Sequence, residues 1–200
     1  MGFVECRSCT AAACGLIRLA RRADAGDDPC MGLRAAGAGR LSAVNGAGHA
    51  LFAYGTLQFP EMLEVLLGRI PTLTPAVAVG WRAAALPGLL YPGLVPHPDA
   101  VAPGVLVTGL TAAEWHILDT FEDDEYDLCP IPLPHPPATP WTYLWTGPVA
   151  QDNWDAPTFA RTHLASFVVH TRAWCRAMLD ERSGGTGGGE LSGDAATSSP

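Results

Sequence analysis

Two hundred residues, 48% of them apolar and 16% charged, with a formal net charge of −8, describe about one globular domain with appendages that buries a real core. The chain has no lysine: all 12 cationic side chains are arginine, which excludes a Schiff-base lysine, a pyridoxal phosphate anchor and a phosphate-loop lysine. No apolar run approaches the roughly 18 residues a membrane span requires, and residues 51–180 carry 13 acids against five arginines, a balance that repels phosphate backbones and argues against nucleic acid as a partner.

The first zone, residues 1–48, is rich in Ala, Gly, Arg and Cys without a steady hydrophobic period. It reads either as a disordered extension or as a targeting segment, although Glu5, Asp24, Asp27 and Asp28 count against an organelle transit peptide. Cys6, Cys9, Cys14 and Cys30 lie here. A single C-x2-C with neither a second pair nor histidines at ligand spacing predicts no metal. Cys129 and Cys175 read as small buried thiols. The lack of a disulfide framework suits a reducing compartment, hence a cytoplasmic protein unless residues 1–48 direct it to an organelle. Residues 49–180 carry the fold, and the Gly/Ser-rich residues 181–200 form a flexible tail.

Within the globular zone, Leu51–Tyr54 predicts a strand. "PEMLEVLLG" predicts a short helix, with Pro60 at its first position and Gly68 just past its end. Val77–Leu86, interrupted by Gly80, and Val105–Thr108 predict strands. Thr111 and Glu114 have the spacing of a capping box for a helix through "TAAEWHILDTF". Thr142–Trp145 predicts a further strand, and residues from Pro157 to about Leu179 a longer helix. Short strands separated by proline-rich loops, without regular crossover helices, indicate a mixed α+β fold, a small mixed β-barrel with flanking helices.

Two stretches can carry chemistry. In "FAYGTLQFPEML" a buried strand runs into Tyr54-Gly55-Thr56-Leu57. Gly55 lets another group approach the backbone, successive turn N–H groups make a cradle for an anion, and the helix opening at Pro60 adds its positive end. An ordinary strand-to-loop turn is the bland alternative. In "WHILDTFEDDEYDL", a helix continuing one more turn would place Glu122 on the stripe of Trp115 and Leu118. Burial and the neighbouring Asp119, Asp123, Asp124 and Glu125 would then raise its pKa toward that of a general base, whereas a solvated acidic turn is the bland reading. "LPGLLYPGLVP" is a Pro-Gly loop whose Tyr91 is suited to line a pocket, and simple turn chemistry explains it as well. His97 and His135, in two "PHP" triplets, read as surface polyproline.

Taken in order, "FAYGTLQFPEML", "LLYPGLVP", "GLTAAEWHILDTFEDDEYD", "WTYLW" and "NWDAPTFARTHLASFV" resemble the AIG2-like branch of the gamma-glutamylcyclotransferase superfamily, from about Leu51 to Trp174. The resemblance implies a barrel with a cavity at its mouth. The Tyr54-Gly55-Thr56-Leu57 backbone would bind the glutamyl end of a small-molecule gamma-glutamyl substrate, with Tyr91 and Tyr126 alongside, and Glu122 would be the general acid/base. The implied reaction is intramolecular: the α-amine of a gamma-glutamyl group attacks its own γ-carbonyl, releasing an amine or peptide and 5-oxoproline, without metal or organic cofactor. The family commonly has Tyr-x-Arg where this chain has Tyr126-Asp127-Leu128, which bears on substrate preference. A non-catalytic barrel that binds a glutamyl-like ligand or a partner protein is the alternative.

Overall fold

The computed structural model describes residues 48–122 and 124–184; the expected N-terminal extension, apart from Gly48, and the tail beyond residue 184 lie outside the described residues. Strand β1 (Leu51–Ala53) leads through a 3-10 turn (Thr56–Gln58) into helix α1 (Pro60–Leu67). Pro60 sits in its first turn, and Gly68, at φ 72°, ends it in the left-handed region, where a residue without Cβ is least strained. Strands β2 (Thr72–Ala85) and β3 (Pro92–Thr108) follow, then helix α2 (Ala112–Phe121). The predicted capping box is formed: Thr111 Oγ1 accepts from Glu114 N while Thr111 N donates to Glu114 Oε2 at 2.7 Å. Strand β4 (Tyr126–Pro130), the short pair β5 (Leu133–Pro134) and β6 (Pro137–Ala138), strand β7 (Trp141–Trp145) and helices α3 (Ala156–Thr162) and α4 (Leu164–Gly184) complete the fold. No helix among the described residues is long and apolar enough to cross a membrane.

The main sheet has the order β2-β3-β1-β7-β4, with an additional β3–β7 pairing. β1 is antiparallel to β3, from Leu51↔Val107 to Ala53↔Val105, and parallel to β7 at Leu51↔Trp141. Beyond the end of β1, Leu94 of β3 pairs directly with Leu144 of β7. The shortest strand of this sheet is therefore wedged between two longer ones that converge past its tip. Gly104 permits the crossing, since a Cβ there would lie 2.5 Å from the Ala53 carbonyl oxygen. Among the described residues no ladder joins β2 to β4, so the expected barrel is a partial one. Alternation along β1 sends Leu51 and Ala53 into one core, with Trp115, Leu118 and Leu63 of the helices, and Phe52 and Tyr54 into a second, with Leu94, Leu106 and Ile131.

Three expectations need correction. The proline-rich stretch read as a loop is strand from Pro92 onward, and only residues 86–91 connect β2 to β3. Between Pro96 and Val101 the register jumps, Trp81↔Pro96 giving way to Val79↔Val101 opposite Gly80 at φ 82°; at such a bulge ladder bonds are already interrupted, so Pro98 and its neighbours fit. The long C-terminal helix is divided at His163, whose φ and ψ are −127° and −28°. There the Thr162 and Ser166 hydroxyls donate to the carbonyls of Thr158 and His163, back-bonding that bends helices. Cys129 is buried and disulfide-bonded rather than a thiol: pairing depends on proximity in space, which spacing along the chain does not report. The case for a reducing compartment loses that support, while Cys175 is a free thiol.

Candidate active site

The point where β1 ends and β3 meets β7 is occupied by Tyr54. Its hydroxyl donates to the Tyr143 carbonyl at 2.7 Å and accepts from Leu94 N–H at 3.0 Å, strapping the two converging strands together. Burial raises the phenol well above its ordinary pKa, the negative charge of Glu122 raises it further, and the Leu94 N–H works in the opposite direction. Tyr54 is therefore neutral, and the charge of Glu122 reaches it across the fold.

Gly55 follows at φ −102° and ψ −140°, and its surroundings demand space. A Cβ would come within 3.1 Å of the Pro92 ring, tight enough to push the two segments apart. The 3-10 turn then begins. Gln58 Nε2 donates to the carbonyls of Tyr54 (2.7 Å) and Gly55 (3.0 Å), and Gln58 N donates to Gly55 O at 3.1 Å. The carbonyls are thus engaged, while the N–H groups of Thr56 and Leu57, at the start of the turn, have no acceptor within it. Thr56 is buried, and the Leu57 side chain belongs to the helix-side core.

Each residue of Pro92-Gly93-Leu94 answers to a neighbour. The Pro92 carbonyl accepts from Tyr126 Oη at 2.7 Å. A Cβ on Gly93 would fall 2.5 Å from Trp145 Cβ, and Leu94 N–H is held by Tyr54. The Tyr126 ring stands edge-on to Trp145 with centroids 5.0 Å apart and lies 6.4 Å from the half-buried Tyr91.

Helix α2 stops at Phe121, so Glu122 is not on a further helical turn: it caps the helix with extended backbone (φ −78°, ψ 140°), its N–H donating to Leu118 O at 3.1 Å. Its side chain is half-buried at the helix end, where the apolar stripe has run out. The acidic turn is pinned rather than loose, because Thr146 donates its N–H (3.0 Å) and its hydroxyl (2.7 Å) to the Glu125 carbonyl. Asp123 lies outside the described residues.

At the other end of α2, Glu114 receives Arg69 Nε on Oε1 at 2.5 Å and Arg69 Nη2 on Oε2 at 2.7 Å. The Arg69 hydrogen bonds, against burial and helped by Thr111, bring its carboxyl from 4.5 down to about 2. Burial in turn raises the Cys175 thiol.

The fold thus gathers Tyr54, Gly55, Tyr91 and Tyr126 around Pro92–Leu94, with the charge of Glu122 bearing on Tyr54. His97 is exposed on β3, and His135 sits in the turn between β5 and β6. Among the described residues no cluster of His, Cys, Asp and Glu could hold a metal. Residues 51–160 match the family model described as gamma-glutamyl cyclotransferase, AIG2-like. The chain belongs to this AIG2-like family. It is 32% identical to AIG2-like protein C of Arabidopsis thaliana over 133 residues, 63% of this chain and 77% of that protein. It is 29% identical to AIG2-like protein B of the same plant, covering 60% of this chain and 74% of that protein. A solution structure of an Arabidopsis thaliana protein, 26% identical, superposes with a TM-score of 0.50 over 74% of this chain and 96% of that one.

The AIG2-like frame depends on side chains that reading by motif did not single out. Trp145 fills the space Gly93 leaves open, Gln58 closes the 3-10 turn, and Thr146 holds the acidic turn. The alternating aromatics of "WTYLW" are the sequence signal that could have found Trp145.

Proposed function

We propose that this AIG2-like chain is a gamma-glutamylcyclotransferase, with Glu122 as general acid/base. The observation that supports the reading is the negative charge of Glu122 bearing on the buried phenol of Tyr54, the residue at which the Tyr54–Leu57 segment begins. A half-buried carboxylate just past the end of α2 is the residue type that general acid/base catalysis uses to take and return a proton.

In this reading the glutamyl carboxylate or the developing oxyanion is held by the N–H groups that open the 3-10 turn, between walls formed by Tyr91 and Tyr126. Glu122 takes a proton from the α-ammonium. The freed amine forms a bond to the γ-carbonyl carbon, the attacking nitrogen gives up its remaining extra proton, the original amide C–N bond breaks, and the departing nitrogen takes up both protons, one by way of Glu122, to leave as an ammonium. One amide becomes a lactam, 5-oxoproline, and one amine or peptide leaves. Ring closure is unimolecular, so the protein's task is to fix the folded-back conformer and keep water out. The Tyr54 and Tyr126 hydroxyls hold backbone carbonyls and serve as frame, leaving recognition to the backbone and the rings.

The test is 5-oxoproline release by the full chain from a panel of gamma-glutamyl amines and peptides, with Glu122→Gln alongside. Release that disappears in a folded mutant supports the reading. A well-folded wild type that releases nothing overturns it in favour of a non-catalytic barrel that binds a glutamyl-like ligand, for which the buried Leu128, standing where the family commonly has arginine, is the first position to examine.

A further inference from the structure

The segment between β7 and α3 is fastened to the end of the β2–β3 hairpin by a dense set of bonds. Arg82 gives its guanidinium N–H groups to three successive carbonyls: Nη2 to Ala150 O at 3.1 Å, and Nη1 to Gln151 O at 3.0 Å and Asp152 O at 3.1 Å. Backbone bonds add to this: Ala85 N to Asp152 O at 3.0 Å, Ala150 N to Ala85 O at 2.9 Å, and Trp154 N to Ala83 O at 2.9 Å. A segment with no regular structure of its own is thereby held along a strand edge, and it ends in Trp154.

Trp154 touches residues next to two segments of the candidate site. Its indole Nε1 donates to the Leu90 carbonyl at 2.8 Å, within the turn that carries Tyr91. Its ring lies 6.5 Å from Phe59, which directly follows the Tyr54–Gln58 segment, and 5.3 Å from Phe159, on which Phe59 is stacked at 5.6 Å. The turn has two exposed apolar side chains, Leu89 at 42% and Leu90 at 47%, and lacks a strand partner of its own.

We infer that Trp154 is a positioning residue that sets the distance between the Leu86–Tyr91 turn and the Tyr54–Phe59 segment, the two faces between which substrate would sit. The assignment rests on the proposed location of the site but not on the identity of the substrate. Trp154 touches no reacting group and lies apart from Glu122 in the chain, so its effect falls on binding rather than on the chemical step. Arg82 acts one step further back, holding the segment that presents the indole.

The test uses the full chain with Trp154→Phe, which keeps a ring but loses the hydrogen-bond donor, and Arg82→Met, which releases the segment. Amide hydrogen exchange is followed by NMR. Exchange is expected to quicken about fivefold, the scale of one partly exposed hydrogen bond, in both the Leu86–Tyr91 turn and the Thr56–Gln58 turn, with the β4–β7 amides unchanged. Arg82→Met is expected to give the same pattern at smaller amplitude. Quickening confined to the Leu86–Tyr91 turn, or spread over the whole domain, would overturn the coupling. With a turned-over substrate the same variant should raise KM about fivefold with kcat within twofold, and a fall in kcat at constant KM would equally overturn it. A wild type that releases no 5-oxoproline fails the cyclotransferase reading alone, because the exchange pattern decides the positioning role without turnover.

Discussion

Glu114 at the first turn of α2 and Glu122 just past its last turn are the same side chain in two electrostatic settings. Glu114 meets the positive end of the helix, caps Thr111 and takes two hydrogen bonds from Arg69. Every one of these partners favours the ionised form. Glu122 faces the negative end, and its charge bears on a buried phenol. The first is an acid fixed in one protonation state to hold the fold. The second is the residue proposed above as the acid/base. What separates them is the direction of the helix and the identity of the neighbours, since each is a glutamate on the rim of the same helical element.

Four changes break or sharpen that contrast. The largest effect is expected of Glu122→Gln, which should lower 5-oxoproline release by at least about 10²-fold while the thermal midpoint stays close to that of the wild type; release within a few-fold of wild type would remove Glu122 from the acid/base role. Tyr54→Phe follows, because it leaves the Leu94 N–H and the Tyr143 carbonyl without their shared hydroxyl in a buried place. A loss of about 2 kcal/mol is expected in urea unfolding, and a neutral result would mean that the strap adds nothing beyond the β3–β7 pairing.

Glu114→Ala removes the capping partner and the acceptor of Arg69, and should cost about 1–2 kcal/mol with kcat unaltered; a drop in kcat would erase the division between the two ends of α2. The smallest effect is in pH. Glu114 has a folded pKa of about 2, depressed from the ordinary 4.5, so the unfolded chain binds its proton first on acidification. Its contribution is whole above about 4.5 and fades as pH falls toward about 2. The urea midpoint should decline across that window in the wild type, and Glu114→Ala should show a shallower decline over it.

How much of this was legible beforehand varied with the kind of interaction. Both caps of α1 and the N-terminal cap of α2 were readable, since Pro60, Gly68, Thr111 and Glu114 act on backbone within a few residues of themselves. β4 was hidden inside an acidic run that resembles a turn, because Tyr126 and Leu128 gain their strand from Trp145 and Tyr143 opposite. β3 was read as a loop up to Val105, since its prolines are tolerated only at a bulge that the partner strand creates. Of the site, Gly55 was legible as a close-approach position, but the group that approaches, Pro92, was not. Glu122 was picked out for the wrong local setting, on a helical stripe that ends before it.

The amino-acid sequence by itself determined the start of α1 and α2 and the end of α1, which positions are bare glycine, and the series of motifs that places the chain in its family, because these depend on neighbours along the backbone. Tertiary structure alone decided that Tyr54 joins β3 to β7, that Tyr126 holds the Pro92 carbonyl, that Cys129 is bonded, and that the charge of Glu122 falls on Tyr54. Each of those is an interaction between residues that the chain order does not bring together. Its strength is set by a distance that only the packed sheet and helices define.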